Sequence, residues 1–260
     1  MKAILNLSFL VVSSFGFGQV TKESDTDPEL LASFNIIGYW ANYVSDDDKI
    51  NSADSLTKAN KTFKNQLLNI TSREPGSILQ AMTDLVSLGV YIATSEDKKF
   101  RIYSWDTQTG GSMRFFDNVY QYALENGTAS EANPKTDLVK VPHGFYTQIF
   151  TVPTKKGVFY MGYLNEIYSN KDNYQALKLF GIEGANLNTQ LKLIKTKTGL
   201  HNQLGFDYDF FSVVDRPERP IQLIAYDPIK KSIPVVLAKG QVSNKKIVYV
   251  FDGVNFLKKK

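Results

Sequence analysis

The chain contains no cysteine. That excludes disulfides, thiolate nucleophiles and thiolate metal sites together, and with them a lipid anchor on a cysteine. Histidine is nearly absent, since His143 and His201 are the only two. Zinc usually draws several His or Cys ligands, so both imidazoles and a carboxylate would have to converge from separate turns. No Gly-x-Ser-x-Gly elbow surrounds any serine. Beyond the first residues, no apolar run approaches the roughly 20 residues that span a bilayer. The charges are also unremarkable: the formal net charge is +4, and the lysines are scattered apart from Lys258–Lys260. A nucleic-acid binder concentrates cations on one face. We expect no nucleic-acid partner, no cofactor, no metal and no integral membrane segment in the mature form.

The amino end is distinctive. Met1-Lys2 supplies a positive start, Ala3–Val12 is mostly apolar, and Ser13–Gly18 ends on small residues. This is the layout of a secretory signal peptide over residues 1–18, with cleavage after Gly18. The expected location is the periplasm, the cell surface or outside the cell. With the leader removed, enough chain remains for one sizeable core without disulfides.

Two regimes follow. Residues 19–89 read as helical. Asp27-Pro28-Glu29 supplies an N-cap, a proline for the first turn and an acid at the positive dipole end, so Pro28–Tyr43 is expected to be a helix. Leu56, Phe63, Leu67 and Ile70 share one face of a second helix over 52–70. Ser77–Gln80 has capping-box spacing and would open a third, with Gly89 as its stop. Asp46-Asp47-Asp48 fails the EF-hand template, lacking its glycine and terminal acid; a connecting loop is the expectation.

After Gly89, short β-branched and aromatic runs alternate with turn residues through 90–260. Strands are expected near 90–94, 99–105, 112–122, 144–152, 157–168, 174–183, 189–197, 206–214, 220–226, 231–238, 245–251 and 254–258. A long loop is expected at 125–143, and a bulge where Ile194 breaks the alternation of 190–193. The strands follow too closely for crossover helices, so antiparallel hairpins are expected. The fold class is α+β and β-dominated: an N-terminal helical segment packed as one domain with an antiparallel β-meander, sandwich- or propeller-like.

Three strands end on an aromatic followed by aspartate: Trp105-Asp106, Tyr226-Asp227 and Phe251-Asp252. The aromatic would fill core volume and the aspartate would cap the turn. Residues 97–110 superficially resemble a WD-repeat blade, but the recurrence lacks that family's period of about 40–45 residues. Phe100–Gly111 and Lys245–Phe256, with the leader, resemble uncharacterised exported proteins of Bacteroidota-type bacteria. The resemblance implies export and a β-rich fold, and it carries over no functional residue.

Two candidate sites remain. Arg101, Tyr103 and Trp105 share one strand face beside Asp106, with Arg114 and Tyr120 in phase on the next strand. Exposed, they would form an aromatic–arginine platform for a glycan or peptide; buried, they are a sheet core with arginine at its rim. Asp207 and Asp209 lie on one strand face about 7 Å apart. They suit paired-carboxylate hydrolysis aided by His143 or His201, or calcium, or simply a half-buried strand with its acids in water, which is the favoured reading. The favoured expectation is a non-catalytic binding or scaffolding module, with an exported hydrolase as the rival.

Overall fold

The computed structural model describes residues 26–44, 51–133, 143–155, 157–217, 221–239 and 241–259. The expected leader and the Asp46–Asp48 loop lie outside the described residues.

The N-terminal segment folds as its caps dictate. Asp27 Oδ1 accepts the N–H groups of Glu29 and Leu30, both at 2.9 Å, and opens α1 (Pro28–Ala41). Asn51 caps α2 (Ser52–Arg73) through Asp54 N at 3.1 Å. The expected capping box at Ser77 does not form. Residues Pro75–Leu79 make a 3-10 turn, where the Ser77 hydroxyl donates to Glu74 O and accepts from Gln121 Nε2. The next helix, α3 (Thr83–Ser87), starts later, from Met82 at φ 47°. Gly89, at φ 99°, ends it as its freedom at positive φ allows.

Three sheets follow, antiparallel but for one parallel pairing in the third, which departs from the expected all-antiparallel meander. The first is β1 (Tyr91–Thr94), β2 (Phe100–Asp106), β3 (Phe116–Leu124) and β4 (Gly127–Ala132), paired in that order. The second runs β11 (Gln203–Asp209), β7 (Asp172–Glu183), β6 (Gly157–Ile167), β5 (Phe145–Thr154), with β8 (Asn186–Asn188) also on β7. The third is β10 (Gly199–His201), β9 (Ile194–Thr196), β14 (Phe256–Lys258), β13 (Gln241–Phe251) and β12 (Ser232–Lys239). Among the described residues, no sheet closes into a barrel.

The buried clusters give the stacking order. Leu30, Phe63 and Leu67 of the helices pack on Tyr103, Trp105 and Val119 of the first sheet. The opposite face of that sheet, with Phe100, Ile102 and Tyr120, packs on Tyr146, Tyr160 and Phe180 of the second. Met161, Tyr163 and Leu179, on the far face of the second sheet, pack on Ile233, Tyr249 and Phe256 of the third. The molecule is therefore helices, sheet, sheet, sheet, and its two inner sheets are buried on both faces.

Several sequence expectations are corrected. The segment 125–143 is not one long loop, because β4 pairs with β3 from the Gly127 turn onward. Residues 190–193 are not strand, so no bulge forms at Ile194; the ladder irregularities lie at Tyr146/Gln148 and Val236/Ala238. The strand expected over 206–214 ends at Asp209, followed by a 3-10 turn. The strand expected over 220–226 is reduced to an isolated bridge from Ile224 to Val235. The aromatic–aspartate strand ends do form turns. Asp106 accepts Gln108 N, Asp227 accepts Ile229 N and Lys230 N, and Asp252 accepts Val254 N and Asn255 N.

Candidate functional site

The first aromatic candidates are interior residues. Tyr103 and Trp105 are fully buried, and Tyr120 and Arg101 nearly so. The β2–β3 register also separates them. Tyr103 faces Val119 and Ile102 faces Tyr120, so Tyr120 points away from the Arg101–Tyr103–Trp105 face. The sequence placed them in one phase because strand alternation alone does not set the register between neighbours.

Each of the buried polar side chains on that face has a structural partner. Arg101 donates to Thr94 Oγ1 at 2.7 Å and to the carbonyls of Ser77 and Gln80 at 3.0 and 2.7 Å. Tyr103 donates to Gln121 Oε1, and Gln121 in turn holds Thr71 O and Ser77. Trp105 Nε1 donates to Asn60 Oδ1 at 3.0 Å. This face binds the helices and leaves no aromatic surface for a ligand. Arg114 is exposed and pairs with Asp106 at 3.2 Å, a surface contact worth well under about 1 kcal/mol.

Asp207 and Asp209 do not act as a pair. Asp209 accepts Phe211 N at 2.9 Å, capping the 3-10 turn, and lies 3.6 Å from Lys171 Nζ. Neither histidine joins them. His201 bonds Thr198 Oγ1 at 2.9 Å in the third sheet. His143 is lowered from its ordinary 6.5 by burial first, with Asp117 opposing and Lys178 and Lys64 assisting. Its charged neighbours are those three groups, and Asp117 is itself held by Lys64 at 2.7 Å.

Asp207 instead belongs to a cluster that sequence reasoning did not single out. The register lines up Glu166, Tyr174 and Asp207 across β6, β7 and β11. The two carboxylate-bearing residues are thus two strand spacings apart, roughly 9–10 Å between Cα atoms, with a tyrosine between them. Two rows further on, Lys178 sits beside Gln203 on the same face. Tyr168 follows β6 in the same parity and donates to Glu166 Oε2 at 2.5 Å. Its ring lies 6.4 Å from that of Tyr174, tilted by 32°. Gln203 Nε2 donates to the Tyr174 hydroxyl at 3.2 Å.

Small residues make room for these side chains. A Cβ on Gly205 would meet the Tyr174 hydroxyl at 2.4 Å, and one on Gly144 would meet Glu166 Cγ at 2.6 Å. Both glycines are therefore required by close approach. The cluster is half-buried, with Asp207 exposed. Burial raises the Glu166 carboxyl, with the Tyr168 hydrogen bond and Lys178 opposing and Asp207 adding to the rise. Burial followed by the two carboxylates pushes Tyr174 up to about 12. Burial lowers Lys178, and Glu166 partly restores it.

The available signal was the polar residues 166, 168, 174 and 178, which keep one parity where 160, 164, 176 and 180 are apolar or small. Two tyrosine rings with carboxylates, an amide and an ammonium around them can stack on an apolar face and exchange several hydrogen bonds. A separate pocket of about 330 Å³ lies between the second and third sheets, lined by Phe159, Gly181, Ile182, Leu191, Phe251 and Val254 among others. It offers apolar contact and one carboxylate, Glu183. Among the described residues, no group of three or more His, Asp and Glu side chains could hold a metal ion, and no helix is long and apolar enough to cross a membrane. No family model, curated protein or solved structure matches this chain.

Proposed function

We propose that the protein is an exported, non-catalytic binding module that takes a glycan segment on the Tyr168–Tyr174 surface. The observation that carries the reading is the pair of neighbouring tyrosine rings flanked by Glu166, Asp207, Gln203 and Lys178. Sugars present flat C–H faces and dense hydroxyls, and this surface supplies ring faces with both donors and acceptors. Most of these groups are already oriented by each other, which lowers the ordering cost of binding.

The test is a glycan array followed by calorimetric titration of the best hit. Tyr168→Ala is expected to weaken binding about tenfold or more, and Asp207→Asn by several-fold. Unchanged affinity in both variants rejects the site. A peptide ligand would instead use the apolar pocket between the second and third sheets. Gly181→Leu, which builds a side chain into that pocket, would then abolish binding while Tyr168→Ala leaves it intact. The export half of the reading is tested by sequencing the mature amino terminus. Gln19 is the expected first residue, and an intact Met1 on cytosolic protein rejects it.

A second reading, an exported hydrolase, has one observation in its favour. Glu166 and Asp207 are carboxyls whose environments differ, one raised by burial and one exposed, and such a split marks an acid and base pair in glycoside hydrolysis. Glycan turnover that is lost in Glu166→Gln, with binding retained, would establish it over the binding module.

A further inference from the structure

The lysines that look scattered in sequence are gathered by one pairing in the third sheet. β14 runs parallel to β9, with Phe256 opposite Ile194 and Leu257 opposite Lys195. Parallel strands finish at the same end of a sheet, so Lys258 arrives beside the segment Lys195–Lys197. Lys195, Lys197 and Lys258 line a single pocket of about 570 Å³. Its remaining lining is Thr196, Thr198, Tyr249 and Leu257. Among the described residues, no carboxylate lines it.

The hydroxyls are already arranged. Thr196 Oγ1 and Thr198 Oγ1 lie 2.9 Å apart, Thr198 N donates to Thr196 Oγ1 at 3.2 Å, and Thr198 Oγ1 meets His201 Nε2 at 2.9 Å. Among the described residues, none of the three ammonium groups is in an ion pair with a carboxylate. Asp252 is the acid that Lys195 influences, and its Oδ1 is already taken by the N–H groups of Val254 and Asn255. The register puts Lys195 on the face of Leu257 and Lys258 on the face of Tyr249, so the lysines reach the pocket from the two sides of the strand ends, and a multivalent anion held there is attracted by each of them. Lysine serves phosphate and sulfate as a mobile point charge. The volume falls within the range of small-ligand sites.

We propose that this pocket binds a small polyanion carrying two or more phosphate or sulfate groups. The site is separate from the tyrosine surface, and its test does not depend on a glycan being found. The probe is inorganic tripolyphosphate, titrated calorimetrically against the full mature chain at low ionic strength. Saturable one-to-one binding is expected. The triple variant Lys195→Gln, Lys197→Gln, Lys258→Gln should weaken it by about tenfold or more. A control triple, Lys58→Gln, Lys61→Gln, Lys99→Gln, removes the same charge from exposed positions elsewhere and should change it less than about twofold. All six lysines are exposed, so both triples should fold, which circular dichroism checks.

Three outcomes overturn the proposal. One is equal weakening in both triples, which means attraction to net charge alone. Another is the lack of saturable tripolyphosphate binding. The last is binding only to phosphatidylcholine vesicles doped with phosphatidylglycerol, which assigns the lysines to a lipid surface.

Discussion

Glu166 and His143 make opposite contributions to stability as pH changes. Glu166 has a folded-state value raised above 4.5 by burial. Its contribution is fully present below that value and is lost as pH rises through the raised one. Glu166→Gln keeps an acceptor for the Tyr168 hydroxyl and never ionises. It should match the parent near pH 4 and exceed it near pH 7, by urea midpoints at the two pH values. His143 is lowered from 6.5, chiefly by burial. Its contribution is present above 6.5 and is lost as pH falls from there through the folded-state value. His143→Gln should therefore flatten the acid side of the stability profile. A profile unchanged by either substitution would contradict these environments. Asp207 was legible as a candidate because it alternates with aromatics along one strand. Its partners Glu166, Tyr168 and Tyr174 were not, because two of the strands involved are joined only by lateral register.

The helical layer and the first sheet are held together by particular side chains. Asn60 bonds the Trp105 indole N–H, the Thr107 carbonyl and its own helix at Leu56. Asn60→Ala would leave a buried indole N–H and a carbonyl without these partners, at a cost of about 2–3 kcal/mol by equilibrium unfolding. A loss below about 0.5 kcal/mol would mean that solvent reaches both groups. The two long helices were readable because their caps and their apolar spacing are local. β4 was not, since Gly127–Ala132 carries no large apolar residue and is half-buried throughout. Its strand character comes from the β3 ladder, and the only local signal for it is the hairpin dipeptide Asn126-Gly127. The Ser77 capping box failed for the converse reason. Its hydroxyl and backbone are drawn into the buried Arg101–Gln121 network, and a distant strand overrode a local preference.

The third sheet is docked on the second through a buried glutamine. Gln175 Nε2 donates to Ile221 O at 2.6 Å, and its Oε1 accepts from Leu223 N at 3.0 Å and Tyr163 at 2.7 Å. Leu223 O then accepts Val236 N of β12. Gln175→Leu should release this strap. Hydrogen exchange is expected to speed up at Leu223 and along β12 while α1 and α2 keep their protection. Uniform loss of protection throughout would instead show that the four layers unfold as one unit.

The order of amino acids was enough to specify the α+β class, the antiparallel hairpins, the two long helices and the aspartate-capped strand ends. Each depends on contacts within a few residues or on a period carried by the chain. Which face of a strand meets which layer was not specified in that way. β2 is buried on both faces almost to its end, so alternation carries no inside or outside there. Stacking and register put Tyr103 and Trp105 under the helices, aligned Glu166 with Asp207, and drew Lys258 beside Lys195. These are long-range pairings whose energy comes from burial and lateral hydrogen bonds, and neither exists until the layers have assembled.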